Sequence, residues 1–234
     1  MDVQYLIDIF ELEGRALDAM VRNHPSLGPL FARGARGTDL DRLRRAYLGL
    51  LKLSADVTRY TVPALRAAGQ ALRDGDDIDR RWSALFFSYA SDETDSREDS
   101  GHHVWAREDM KALGAPAELL DAPVAPSAVL YATYFIDDAA RHPYAILGAK
   151  GVLEHASLHG ADDVARGIAA SGLPNAENAT RFFRSHGLLD IDHVRDGDRN
   201  LGLLDDPDKR RQVLEGAYVT TGTYRALIHY LLPT

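Results

Sequence analysis

The chain has 234 residues, of which 45% are hydrophobic and 26% charged, a formal net charge of −8 at pH 7, and no cysteine. This length and composition can bury one sizeable core, so we expect residues 1–234 to form a single domain. Charged residues of both signs are interspersed and acidic residues are in excess, which argues against a nucleic-acid partner. The absence of cysteine excludes disulfides, thiolate zinc sites, iron–sulfur clusters and cysteine nucleophiles, so any metal must be held by nitrogen and oxygen. Without a signal sequence or a long apolar run, we expect a cytoplasmic protein that makes no contact with membranes.

Apolar residues recur at helical spacing along most of the chain, in runs that begin near Leu6, Leu40 and Val213. Strand-like alternation is not convincing anywhere, and clusters of glycine and proline separate the helical runs. We therefore expect an all-α protein, a single compact bundle built from about eight or nine helical segments. One helix, from about Leu40 to Ala68, should kink at Pro63, which lacks an N–H group and crowds the preceding turn.

The first candidate ligands lie in an acidic segment before Trp105. Glu98 and His102 are four residues apart, so on a helix both side chains would face the same ion. Asp99, three residues before His102, is a competing carboxylate. An ordinary explanation is also open, since acidic residues are favoured near the positive end of a helix dipole and could cap a helix start here.

Glu154 is a single carboxylate that follows the apolar pair Val152 and Leu153. Gly148 and Gly151 precede it and permit close helix packing. If this turn faces the core, the carboxylate is costly unless a cation neutralises it. Taken alone, a surface glutamate is the commoner explanation.

The sharpest pattern comprises His186, Asp190 and His193, at positions i, i+4 and i+7 of a predicted helix. A helix that turns about 100° per residue brings two imidazoles and a carboxylate onto one narrow stripe. Each of these groups would need a partner if buried, so the stripe indicates either a metal site or a solvated polar face. The three segments together offer three carboxylates and three imidazoles, as dimetal helical bundles do.

These motifs, in this order, resemble those of the haem-oxygenase-like diiron oxidases and oxygenases, over roughly residues 40 to 230. The resemblance is carried by Glu98-Asp99-Ser100-Gly101-His102 with Trp105, Asp109 and Leu113-Gly114, by His142-Pro143-Tyr144-Ala145-Ile146-Leu147-Gly148 and Val152-Leu153-Glu154, and by His186, Asp190 and His193. Members often have glutamate where Asp99 stands and an acidic residue where Leu188 stands, which leaves the choice between positions 98 and 99 open.

The resemblance implies a haem-oxygenase-like fold of about seven core helices that binds two irons, or iron with manganese, instead of haem. The metal ligands that it implies are Glu98, His102, Glu154, His186, Asp190 and His193. Dioxygen would be the co-substrate and an electron donor a partner. The implied reaction oxidises a small metabolite by N-oxygenation, desaturation, oxidative C–C cleavage, or nitrile or ring formation.

An amino-acid-derived substrate is favoured because several groups near these segments could hold an anionic group. These groups are Arg141, Lys150, Tyr131, Tyr134 and Tyr144. They could also be surface charge and core aromatics.

Two alternatives remain. A haem-acting protein of the same fold would need a proximal histidine on the first helix, and residues 2–23 contain none. A non-catalytic helical binding module would take up no metal. A homodimer is one option for the oligomeric state.

Overall fold

Long helices that begin at aspartate caps form most of this computed structural model, which describes residues 2–31, 39–95 and 100–232. The side chains of Asp2, Asp39, Asp76 and Asp206 each accept a hydrogen bond from a backbone N–H in the first turn of the helix that follows. Such caps satisfy N–H groups that lack a partner within the helix. The α-helices are α1 (Val3–Arg22), α2 (Leu40–Thr58), α3 (Thr61–Leu72), α4 (Asp77–Asp92), α5 (His103–Ala112), α6 (Ala117–Leu120), α7 (Pro126–Ala132), α8 (Ala145–Ala169), α9 (Arg181–Leu201) and α10 (Pro207–Leu231).

Short irregular elements connect these helices. They are 3₁₀ turns at Gly28–Leu30 and Ala176–Ala179, a π-helical turn at Thr133–Asp137, and an antiparallel pairing of β1 (Thr94–Asp95) with β2 (Ser100–Gly101). The pairing aligns Thr94 with Gly101. It occupies the segment just before α5, where the sequence analysis assumed a helix.

The kinked helix predicted around Pro63 is two helices. α2 ends at Thr58 and α3 begins at Thr61, so Pro63 lies in the first turn of α3. A proline costs little there because its missing N–H would have no partner within the helix. The proline thus accompanies a helix start rather than a bend within one helix.

Helix α8 lies at the centre of the bundle and packs against α1, α9 and α10. A side chain at Gly148 would collide with the Val213 carbonyl on α10, and one at Gly216 would collide with the Ala145 carbonyl on α8. The glycines therefore let the two backbones approach closely, as the sequence predicts for Gly148.

The described helices share a large apolar core, which confirms the expected all-α bundle. Its largest fully buried side chains include Trp82, Tyr47, Tyr131, Tyr144, Phe10 and Phe86. Among the helices that can be described, none is long and apolar enough to cross a membrane.

Candidate metal centre

Helix α9 places the predicted histidine and aspartate stripe against α8. Asp190 is buried, with 4% of its surface exposed, and both His186 and Asp190 line a cavity. The Nδ1 atom of His193 lies 3.2 Å from Asp190 Oδ1 and 3.4 Å from Glu154 Oε1. The stripe therefore faces the interior of the bundle and meets the predicted carboxylate of α8, rather than forming a solvated face.

Two contacts fix the orientation of α9 and its first histidine. Asp109 on α5 accepts hydrogen bonds from the backbone N–H groups of Arg181 and Phe182, at 3.1 and 2.9 Å, and so caps α9 from another helix. His186 Nδ1 lies 2.8 Å from the Phe182 carbonyl oxygen. A carbonyl can only accept, so Nδ1 carries a proton, and in the neutral ring this leaves on Nε2 a lone pair suited to a metal ion.

His102 immediately precedes α5 as its N-cap residue and is 5% exposed. Its ring stacks on Trp105, with centroids 4.1 Å apart, and meets the edge of the His186 ring at 5.1 Å. The strand β2 directly precedes His102, so Ser100 and Gly101 do not continue a helix between positions 98 and 102. Glu98 and Asp99 themselves lie outside the described residues.

Glu93, just beyond the end of α4, is a carboxylate of the site that the sequence analysis missed. Its Oε2 atom lies 3.3 Å from His102 Nδ1 and its Oε1 atom 3.1 Å from Lys150 Nζ. Burial raises the pKa of Glu93, but Lys150 and His102 outweigh burial and bring this pKa down to about 2. The sequence does contain a signal for Glu93, because this residue follows Trp82, Phe86 and Ala90 at helical spacing, and those three residues form a buried stripe on α4.

Glu154 lies on α8 with 7% of its surface exposed, and its neutralising cation is Lys150, one turn earlier. Lys150 Nζ is 2.5 Å from Glu154 Oε1. Burial lowers the pKa of Lys150, but Glu154 and Glu93 together hold this pKa above its usual value. The sequence argument required a cation beside a core-facing Glu154, and the ammonium of Lys150 is one such cation.

The donor set fits a metal ion that prefers nitrogen and oxygen. Ligand atoms of Glu93, Glu154 and His193 all lie within 4.8 Å of one another. His102 Nδ1 and Glu154 Oε1 are buried, and the atoms nearest to them, Glu93 Oε2 and Lys150 Nζ, belong to the same cluster. Carboxylates with imidazoles are ligands for iron and manganese.

The charges in the cluster are strongly coupled. Burial lowers the pKa of His102 to about 4, whereas hydrogen bonds from His193 to Asp190 and Glu154 raise the pKa of His193 to about 10. One imidazole is therefore neutral and a second is a cation. Together with Lys150, the second imidazole offsets the negative charge of the carboxylates beside it.

A cavity of about 170 Å³ opens beside this cluster. Glu93, Lys150, Glu154, His186 and Asp190 line it on the side of the cluster, and its other polar lining residues include Asp18, Ser54, Thr58, Thr61 and Ser157. The remaining wall is mainly aliphatic and aromatic, and includes Leu17, Val21, Leu50, Leu53, Ile146, Leu153, Val164, Phe182, Phe183 and Ile228. A volume of this order accepts a molecule of about the size of benzene.

The groups considered for an anionic substrate lie in different places. Tyr131 lines the cavity, whereas Arg141 is exposed and paired with Asp138. Tyr134 stacks on His142, and the Tyr144 hydroxyl donates to Asp79. Lys150 lies in the cavity wall but is held by the two glutamates.

Comparison with solved structures defines the class of fold. A domain of unknown function with a haem oxygenase-like fold from Shewanella denitrificans OS217 superposes with a TM-score of 0.73 at 16% identity, covering 99% of this chain and 92% of that one. A TenA homolog from Pseudomonas syringae pv. tomato DC3000 gives 0.61 at 16% identity, with 99% and 94% covered. A CADD-like protein of unknown function from Nostoc punctiforme PCC 73102 gives 0.53 at 13% identity, with 96% and 99% covered. The chain has the haem-oxygenase-like fold.

The sequence itself matches a family model described as iron-containing redox enzyme, over residues 55–224. This match covers most of the chain and includes α3 to α9. The protein therefore belongs to the iron-containing redox enzyme family. No curated protein matches it in sequence.

Proposed function

We propose that this protein is a non-haem dimetal oxidase or oxygenase that uses dioxygen to oxidise a small, amino-acid-derived metabolite. The observation that supports this most directly is the convergence of carboxylates and imidazoles from four parts of the chain on one buried cluster beside a cavity. Dimetal sites of helical bundles are built in this way. The proposed ligands are His102, Glu154, His186, Asp190 and His193, with Glu98 and the newly located Glu93 as further carboxylates.

When bound, two iron ions, or iron with manganese, would supply the electrons that reduce dioxygen. The residues of this chain would prepare the site for that chemistry. Hydrogen bonding to the Phe182 carbonyl keeps His186 Nε2 free, and Asp109 holds the start of α9 in place. Trp105 restricts the ring of His102 by stacking. An electron donor must restore the reduced metals between turnovers.

The cavity wall suggests how a substrate would be oriented. Its aliphatic and aromatic side chains would bind the apolar part of the metabolite and exclude water, so that the polar part faces the cluster. For N-oxygenation, desaturation, C–C cleavage or nitrile or ring formation, this orientation would bring the reacting part of the substrate next to the cluster. A hydrophobic amino acid or its derivative suits both regions of the cavity.

Metal content tests the proposal. Anaerobic reconstitution with Fe²⁺ should load about two equivalents per chain, as dimetal bundles do, and admission of oxygen should give a transient absorption in the visible range. His186→Ala and Asp190→Ala should each lose bound iron. His159→Ala is a matched control, because the His159 side chain is 25% exposed, as that of His193 is, and lies beside Glu11 instead of the cluster. If His186→Ala and Asp190→Ala retained the iron content of wild type and His159→Ala, the site assignment would be wrong.

A further inference from the structure

Lys150 occupies an unusual position for a lysine. Its side chain is 11% exposed, and its ammonium lies between Glu93 and Glu154, whose side chains are 14% and 8% exposed. The distances from Nζ are 3.1 Å to Glu93 Oε1 and 2.5 Å to Glu154 Oε1. An ammonium is rarely buried unless it is paired, and here two carboxylates share it.

The same two carboxylates belong to the candidate metal cluster. Donor atoms of Glu93, Glu154 and His193 lie within 4.8 Å of one another, so a single cation could contact all three. The ammonium of Lys150 already contacts two of them. A divalent ion between these carboxylates would meet the positive charge of Lys150 at close range, and like charges repel strongly where water is scarce.

A second buried lysine in the chain shows what a purely structural pair looks like. Lys52 and Asp56 on α2 have the same i,i+4 spacing and the same 2.5 Å contact, and both are buried. Asp56 Oδ2 also accepts from the backbone N–H of Ala125, so that pair is satisfied by protein groups alone. By contrast, each carboxylate beside Lys150 also faces an imidazole of the candidate site.

We infer that Lys150 is a resident counter-cation of the metal centre, which neutralises Glu93 and Glu154 in the metal-free protein and must withdraw before a metal ion can bind between them. The inference rests on the proposed function in that it requires a metal ion at this cluster. The lysine side chain is long and flexible, and it lines the cavity, so its head group has space to move into. Lys150 thus stabilises the empty site and weakens the binding of the metal ion that takes its place.

The test compares Mn²⁺ binding by chelator-treated wild type, Lys150→Met, Lys150→Arg and Lys52→Met, with free Mn²⁺ counted by electron paramagnetic resonance after equilibrium dialysis. Lys150→Met should bind the weaker equivalent of Mn²⁺ at least tenfold more tightly than wild type, because two buried carboxylates have lost their cation. Lys150→Arg keeps the charge and should bind Mn²⁺ no more tightly than wild type. Lys52→Met should match wild type.

Thermal melting provides a second readout. Without metal, Lys150→Met should melt at a lower temperature than wild type, and saturating Mn²⁺ should raise its melting temperature by more than it raises that of wild type. A Lys150→Met protein that folds only when Mn²⁺ is present also supports the inference. A protein that fails to fold even with Mn²⁺ overturns it, since the metal should replace the ammonium.

The binding outcomes separate the two proposals. If wild type binds Mn²⁺ and Lys150→Met binds it equally or more weakly, the counter-cation role is wrong and the metal centre stands. If neither protein binds Mn²⁺ or Fe²⁺, the proposed function fails and this inference fails with it.

Discussion

Replacing Glu93 by glutamine removes one carboxylate charge from the centre and changes the shape of the side chain very little. In the metal-free protein this leaves Lys150 with Glu154 as its remaining anionic partner and takes the carboxylate away from His102 Nδ1. Removing one partner of a buried ion pair costs about 3–5 kcal/mol. Because Lys150 keeps its closer contact, to Glu154, and glutamine keeps one acceptor oxygen, we expect about half of this, roughly 2 kcal/mol.

For a chain of this size, about 2 kcal/mol corresponds to a melting temperature lower by about 4–8 °C, which circular dichroism can measure on chelator-treated protein. Glu108→Gln is the control, since Glu108 pairs with Arg181 on the surface, where its side chain is 42% exposed. An exposed pair contributes about 0–1 kcal/mol, so this variant should melt near wild type.

The same variant tests the role of Glu93 as a ligand. The loss of a partner behind a metal ligand costs about 10–100-fold in affinity, so the loss of a direct ligand should weaken Fe²⁺ binding by at least that much. Measuring Glu98→Gln in parallel tests the carboxylate predicted from the sequence. Wild-type stability together with wild-type iron affinity in Glu93→Gln would refute the reasoning from the ion-pair geometry.

Three further predictions concern other parts of the molecule. Burial raises the pKa of Asp109 to about 6, so the folded protein retains a proton that the unfolded chain releases near pH 3.8. As the pH rises from 3.8 to 6, wild type should therefore lose up to about 3 kcal/mol of stability relative to Asp109→Asn. Urea titrations in which the stability difference between the two proteins does not change with pH would contradict this. Gly148→Ala should destabilise the fold by about 1–3 kcal/mol, because the added carbon collides with α10. The control Gly222→Ala has nothing within 4 Å of the added carbon and should be neutral or stabilising. Equal melting temperatures of the two variants would count against the packing argument. Titration with haem should give no shift of the Soret band, because α1 carries no histidine, and a clear shift would favour the haem-acting alternative.

The helical content and the α9 stripe could be predicted because both depend on spacing along one helix. His186, Asp190 and His193 share a face wherever α9 lies, and burial costs then favour a common partner. Local patterns marked Glu154 as a candidate ligand but left a surface position open. They could not show that this residue meets His193, since that contact depends on how α9 packs against α8.

The segment before α5 shows where local reasoning is insufficient. The spacing of Glu98 and His102 suits a helix, but the backbone at Ser100 and Gly101 pairs with Thr94 and Asp95 instead. A strand pairing depends on a second segment, which the spacing within one motif cannot reveal. Glu98 lies outside the described residues, so its role as a ligand remains a prediction.

By itself, the sequence determined an all-α chain without thiol chemistry and the stripe of two histidines and an aspartate, and it showed that Glu154 would need a cation if it were buried. Only the tertiary structure decided which cation lies there, and that Glu93 shares it, because Lys150 and Glu93 are 57 residues apart and meet where the end of α4 reaches α8. Helical periodicity is a property of neighbouring residues, whereas the composition of a buried cluster depends on which helices pack together.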